Sequence, residues 1–183
     1  MRRPIASRDT NWARQIAKAL AGRGVTPNLV SASSVVFAAL AALCLVMAAR
    51  VDSKGIEIAL FIGAALCIQF RLLCNLFDGM LAVEFGKASA LGPIWNDFPD
   101  RPADVLILVG CGYSGGPEWM PIVGWSAAAL ALLTAYTRVL GAAIGGGEYF
   151  TGPMAKQQRM AVATISCVLA AIEVGLDRPH YVM

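Results

Sequence analysis

An all-α, multi-pass transmembrane helical bundle is predicted by three features of the sequence: an excess of apolar residues, a scarcity of charge, and the confinement of most charges to the ends of long uncharged runs. Of 183 residues, 57% are hydrophobic and only 15% are Asp, Glu, Lys or Arg, where soluble domains average about 25% charged. The mean hydropathy is +0.62. A formal net charge of +3 is too small to point to nucleic acid, and no such partner is expected. Five cysteines without CxxC spacing and a single histidine, His180, argue against a thiolate zinc site or a disulfide framework.

The elements follow in order. Arg8 to Arg23 sets Trp12, Ile16, Ala19 and Leu20 against Arg14, Lys18 and Arg23, the pattern of an amphipathic helix lying in the membrane interface. Residues 1–28 form this N-terminal cytoplasmic segment, and residues 29–183 the membrane domain. The first 28 residues lack a signal-peptide core with a cleavage site, so no cleaved leader is expected. Leu29 to Ala49 is 21 residues without a charge, enough to cross a hydrocarbon core of about 30 Å. Ile56 to Leu76 is a second span and Pro121 to Ile144, with Arg138 as its single charge, a fourth. Between them Ala103 to Tyr113 is too short alone, but a helix from Asn96 to Ser114 would cross. Met160 to Leu176 is the fifth span.

Placing the N-terminus inside puts 11 basic residues on the cytoplasmic side against Arg50, Lys54 and Arg178 outside, which fixes the orientation by the positive-inside rule. The polar stretch from Phe77 to Arg101 is then cytoplasmic. No internal repeat supports an inverted-repeat transporter.

That cytoplasmic stretch carries the chemistry. Asn75 and Asp78 stand at i and i+3 on one helix face, with the small residues Gly79 and Ala82 beside them. After 17 further residues come Asn96 and Asp100, at i and i+4 and about 40° apart around a helix, and Asp104 continues the Asp100 face. A carboxylate at membrane depth costs roughly 2.5–3.5 kcal/mol even on lenient insertion scales, so a cluster of them needs metal, basic partners or water. Hard oxygen ligands without His or Cys select Mg2+, Mn2+ or Ca2+.

The whole stretch resembles the signature of the CDP-alcohol phosphatidyltransferases, Asp-x2-Asp-Gly-x2-Ala-Arg-x8-Gly-x3-Asp-x3-Asp. Every interval fits: Asp78 and Asp100 fall on its second and fourth aspartates, Gly79 and Gly92 on its glycines, and Ala82 on its alanine. Asn75 and Asn96 stand in place of the first and third aspartates, and Val83 in place of the arginine. Thr26-Pro27-Asn28 and Asp100-Arg101-x2-Asp104 are family-like as well.

The resemblance implies a membrane enzyme of six spans, five of them visible here, usually a homodimer. It would transfer a phosphatidyl group from CDP-diacylglycerol, or a phosphoalcohol from another CDP-alcohol, to an alcohol acceptor and release CMP. Asn75, Asp78, Asn96 and Asp100 are then the metal-site residues, with Mg2+ or Mn2+ as the expected ion. Gly79 and Ala82 face the cytidine, Gly92 belongs to the substrate site, and Asp100 is the catalytic base. Two amides in place of carboxylates lower the formal charge of the four positions by two, so metal binding is expected to weaken.

Arg138, near the cytoplasmic end of the fourth span, and Lys156 and Arg159, after Gly145-Gly146-Gly147, are expected to bring cations to a substrate phosphate. Two other functions fit the same features: an inactive nucleotide- or lipid-binding member of the family, and a divalent-cation transporter. The expected location is a bacterial inner membrane, with the N-terminus and active site facing the cytoplasm.

Overall fold

The computed structural model describes residues 10–83, 92–146 and 155–177. Among them are seven helices and no strand: α1 (Asn11–Gly22), α2 (Pro27–Ala48), α3 (Lys54–Val83), α4 (Gly92–Asp97), α5 (Asp100–Gly112), α6 (Met120–Ala143) and α7 (Lys156–Gly175). The helices α2, α3, α6 and α7 are each long and apolar enough to span a bilayer, so the fold is the multi-pass helical bundle that the composition requires.

α2 starts where its sequence says it should. Thr26 caps it, its hydroxyl accepting from the Leu29 N–H at 3.3 Å, and Pro27 occupies the first turn, where no backbone donor is needed. A short connection then reverses the chain into α3. The two pack along small residues, with Ala38, Ala41 and Ala48 of α2 buried with Ala64 and Ala65 of α3. Small side chains let helix axes approach closely, which is how van der Waals packing holds helices together in lipid. The 30 residues of α3 extend to about 45 Å, well beyond a hydrocarbon core of about 30 Å. Its last turns therefore emerge at the membrane surface.

The expected crossing from Asn96 to Ser114 is divided. α4 ends at Asp97, Phe98 and Pro99 form a turn, and α5 begins at Asp100. Pro99 has no N–H to continue the ladder from α4, so the helix restarts there. At 13 residues, or about 20 Å, α5 is shorter than a full crossing. It compensates by packing closely: a Cβ on Gly110 would lie 2.9 Å from the Ala42 Cα, and one on Gly112 would lie 3.0 Å from the Gly124 Cα. Glycine at 110 and 112 is thus what admits α2 on one side and α6 on the other.

α6 buries only a narrow stripe, Gly124, Ala128, Ala131 and Ala135, and turns Leu130, Leu133 and Tyr136 outward. In water such a surface would invite aggregation; in a bilayer it is the lipid-facing side. α7 closes the bundle against α3, where Gln69 donates to the Thr164 hydroxyl at 2.8 Å.

α1 is amphipathic as expected, but its packing rests on a stripe the sequence reading did not name. Ala13 and Ala17 are fully buried in a cluster with Val30, Leu76, Phe77, Met80 and Leu81. Trp12 and Ile16 are exposed, while the Trp12 ring meets Phe77 edge-on at 6.3 Å between centroids. The helix therefore docks on the end of α3 and keeps its large apolar side chains for the interface.

Candidate active site

Because the chain alternates direction, the start of α2, the end of α3, the start of α5, the end of α6 and the start of α7 all lie at one end of the bundle. The charged residues expected at the metal or substrate site, Asp78, Asp100, Arg138, Lys156 and Arg159, all lie on these segments.

The centre is a ladder of ion pairs between α3, α5 and α7. Arg71, fully buried on α3, donates through Nη2 to Asp104 Oδ1 at 2.6 Å and to Asp100 Oδ1 at 3.3 Å. From the other side, Arg159 Nη2 donates to Asp104 Oδ2 at 2.7 Å, and Lys156 Nζ donates to Asp100 Oδ2. The two aspartates are one turn apart on α5, so their carboxylates face the same way and are gripped between two helices. Burying this many charges is tolerable only because each carboxylate has a cation on both sides.

Next to the ladder is Asp78, 3% exposed. Its Oδ2 accepts from the Ser31 hydroxyl of α2 at 2.7 Å. Its Oδ1 is buried without a partner, as is the Asn75 Nδ2 one turn earlier. Asp78 lies within electrostatic reach of both Asp100 and Lys156, so the second and fourth positions of the aspartate pattern share one polar space. An unpaired buried carboxylate oxygen is expensive and marks where a donor or cation is accommodated.

A second, more exposed pair of contacts joins α4 to α5 and to α6. Asp97 Oδ1 accepts from Arg138 Nη2 at 2.7 Å and from Arg101 Nη2 at 2.5 Å. Arg138 is thus held at the mouth of the site by Asp97. Lys156 and Arg159, expected beside a phosphate, are placed on the aspartates of α5. Gly79, Ala82 and Gly92 are half-buried on the segments flanking Asp78 and Asp100. The side chain of Asn96 lies outside the described residues.

Three contributors escaped the sequence reading as site residues: Ser31, Arg71 and Asp104. For Arg71 a signal was available, since Arg71, Asn75 and Asp78 follow i, i+4, i+7 spacing and an arginine inside a span is a functional candidate by default. Asp104 was noted as continuing the Asp100 face and as part of a family-like stretch, without a role in the site. Ser31 carries no signal, being one of several serines in an apolar helix.

These positions match the spacing of a known signature, and a comparison with characterised proteins points the same way. The archaetidylinositol phosphate synthase of Pyrococcus horikoshii is 26% identical over 166 residues, covering 88% of this chain and 79% of that protein. The chain is thus similar to that synthase over most of its length. No family model matches it.

Against the family pattern, the donor set here is divided. Asp78 Oδ1 and the Asn75 amide are suited to one hard cation, since an amide can turn its oxygen toward the space its nitrogen occupies. Asp100 is not free in the same sense, both of its oxygens being engaged by Arg71 and Lys156. Among the described residues no three His, Cys, Asp or Glu side chains gather as a metal site would require.

Proposed function

We propose that the chain is an integral membrane transferase that moves a phosphatidyl group from CDP-diacylglycerol, or a phosphoalcohol from another CDP-alcohol, to an alcohol acceptor, releasing CMP. The observation that carries this reading is the convergence of Asp78 and Asp100, from two helices, on one polar space ringed by Arg71, Lys156 and Arg159 at the bundle end. A pyrophosphate donor repels an incoming oxygen nucleophile, and fixed cations in a water-poor site offset that repulsion in the transition state.

In this reading the acceptor hydroxyl attacks the phosphorus distal to cytidine. A new phosphate ester forms, the pyrophosphate P–O bond breaks, CMP leaves, and the hydroxyl proton passes to Asp100. Arg71 orients Asp100 through Oδ1, and Asp104 holds Arg71 and Arg159 in place. Gly79 and Ala82, beside Asp78, leave room for the cytidine against the α3 backbone. Mg2+ or Mn2+, bound by Asn75 and Asp78 and with Asn96 as a further ligand, would screen the diphosphate charge. Gly92, at the start of α4, lines the same substrate site.

A cavity of about 330 Å3 between α5, α6 and α7, walled by Leu108, Val123, Leu130 and Val162 and reaching Arg159, supports entry of the lipid tails from the bilayer. The relative's name denotes an inositol phosphate lipid as product, which makes phosphorylated polyols the first acceptors to try, with Arg138 at the mouth and Arg159, deeper against Asp104, as cations for the phosphate. The orientation follows the positive-inside bias, so the site faces the cytoplasm. A second copy against the exposed face of α6 would make the homodimer usual for the family.

The test is formation of labelled lipid by purified protein in mixed micelles with CDP-diacylglycerol, Mg2+ or Mn2+, and a panel of polyols and polyol phosphates. Acceptor-dependent lipid product together with CMP is expected. The two asparagines and the engaged Asp100 favour one rival, a nucleotide- or lipid-binding protein without turnover. Saturable CDP-diacylglycerol binding with no product from any acceptor would establish that rival instead.

A further inference from the structure

α7 begins with two cations in its first turn, Lys156 and Arg159, and no acid. A helix N-terminus carries a partial positive charge, so this placement is unfavourable and serves no purpose for the helix itself. Both side chains are largely buried, at 15% and 10% exposed, which adds desolvation. What compensates is the pair of carboxylates on α5. Lys156 sits on Asp100 Oδ2, at the fourth position of the aspartate pattern, and within reach of the Asp78 carboxylate as well.

The charges of the site close on themselves. Asp78, Asp100 and Asp104 are matched one for one by Arg71, Lys156 and Arg159, while positions 75 and 96, which would add two negative charges in the family pattern, are asparagine. A divalent ion entering at Asp100 would have to displace the Lys156 ammonium from Oδ2, with the Arg71 guanidinium already on Oδ1. At Asp78, by contrast, Oδ1 is buried and lacks a partner.

We propose that Lys156 is a tethered cation that takes, on Asp100, the place of a divalent ion, leaving this chain a single divalent-ion site at Asn75 and Asp78. The two amides at 75 and 96 and the resident ammonium then act together: the site keeps its positive charge next to the diphosphate but supplies part of it from the protein. This deepens the transferase reading and rests on it. Lys156 acts as a positioning residue for Asp100 and as a fixed counter-charge.

Counting Mn2+ bound per chain, by the spin-resonance signal of free Mn2+ in detergent-solubilised protein, tests this without turnover. The wild type is expected to bind one ion. Lys156→Met, which removes the charge and keeps the stem, is expected to bind a second ion or to bind Mn2+ at least about tenfold more tightly, as removal of a neighbouring like charge requires. Lys156→Arg should keep the wild-type count. If Lys156→Met does not fold, Lys156→Gln takes its place in the comparison. A wild-type count of two or of none, or identical Mn2+ binding in wild type and the neutral variant, overturns the proposal. Lipid formation by the wild type is scored separately, so failure of the transferase reading is distinguishable from failure of the role given to Lys156.

Discussion

Arg71 is where local energetics and function meet. Its guanidinium is fully buried, spans Asp100 and Asp104 through one nitrogen, and leaves Nε and Nη1 without partners. Removing one partner of a buried ion pair leaves an uncompensated charge and costs about 3–5 kcal/mol. Arg71→Ala is therefore expected to destabilise the protein by that order, read as a lowered midpoint in denaturant or thermal unfolding in micelles. Ser31→Ala, which removes the hydroxyl that donates to Asp78 Oδ2, should cost about 1 kcal/mol and is checked the same way.

Asp78 and Asp100 were legible in the sequence because their intervals carry a known signature. The α7 cations that grip Asp100 and Asp104 were legible as residues but not as partners. Lys156 and Arg159 are 56 and 55 positions from the aspartates they meet, and nothing local announces a pairing across that distance.

At the scale of elements, the long apolar runs were readable because length and hydropathy alone decide them: α2, α6 and α7 fall within a few residues of the expected spans, while α3 runs on past Leu76 to Val83. The break at Phe98-Pro99 was obscured because the acidic face from Asn96 through Asp104 keeps helical phase across it. Its consequence is functional, since restarting the helix puts Asp100 in the first turn of α5, where the helix dipole favours a carboxylate.

The approach of α5 to α6 was equally invisible, although it decides how the short helix is held. Gly112→Val should force these helices apart, because even a Cβ would meet the Met120 carbonyl oxygen at 2.9 Å and the Gly124 Cα at 3.0 Å. Overpacking of this kind costs about 1–3 kcal/mol. An unfolding midpoint unchanged from wild type would mean that the two helices do not pack as described.

For the molecule as a whole, alternating helix direction gathers residues scattered from Ser31 to Arg159 at one end of the bundle. At the opposite end lies the Lys54–Asp177 ion pair, largely exposed and so of little energetic weight. The asymmetry between a charge-rich end and a sparsely charged one is what the positive-inside bias describes at the sequence level. It predicts that a cysteine at Ser53, in a cysteine-free background, reacts with a membrane-impermeant maleimide added outside intact cells. Protection of that residue until the membrane is opened would reverse the orientation.

The central claim is that the Asp78–Asp100 space catalyses acceptor-dependent cleavage of a CDP-linked donor. It is tested most directly by the rate of CMP release, with CDP-diacylglycerol and a competent acceptor, in wild type and in Asp100→Asn of matched folding and donor affinity. A group that takes the hydroxyl proton contributes typically about 10²–10⁴-fold, so a loss of that size in kcat is predicted. Equal rates in the two proteins would contradict the account.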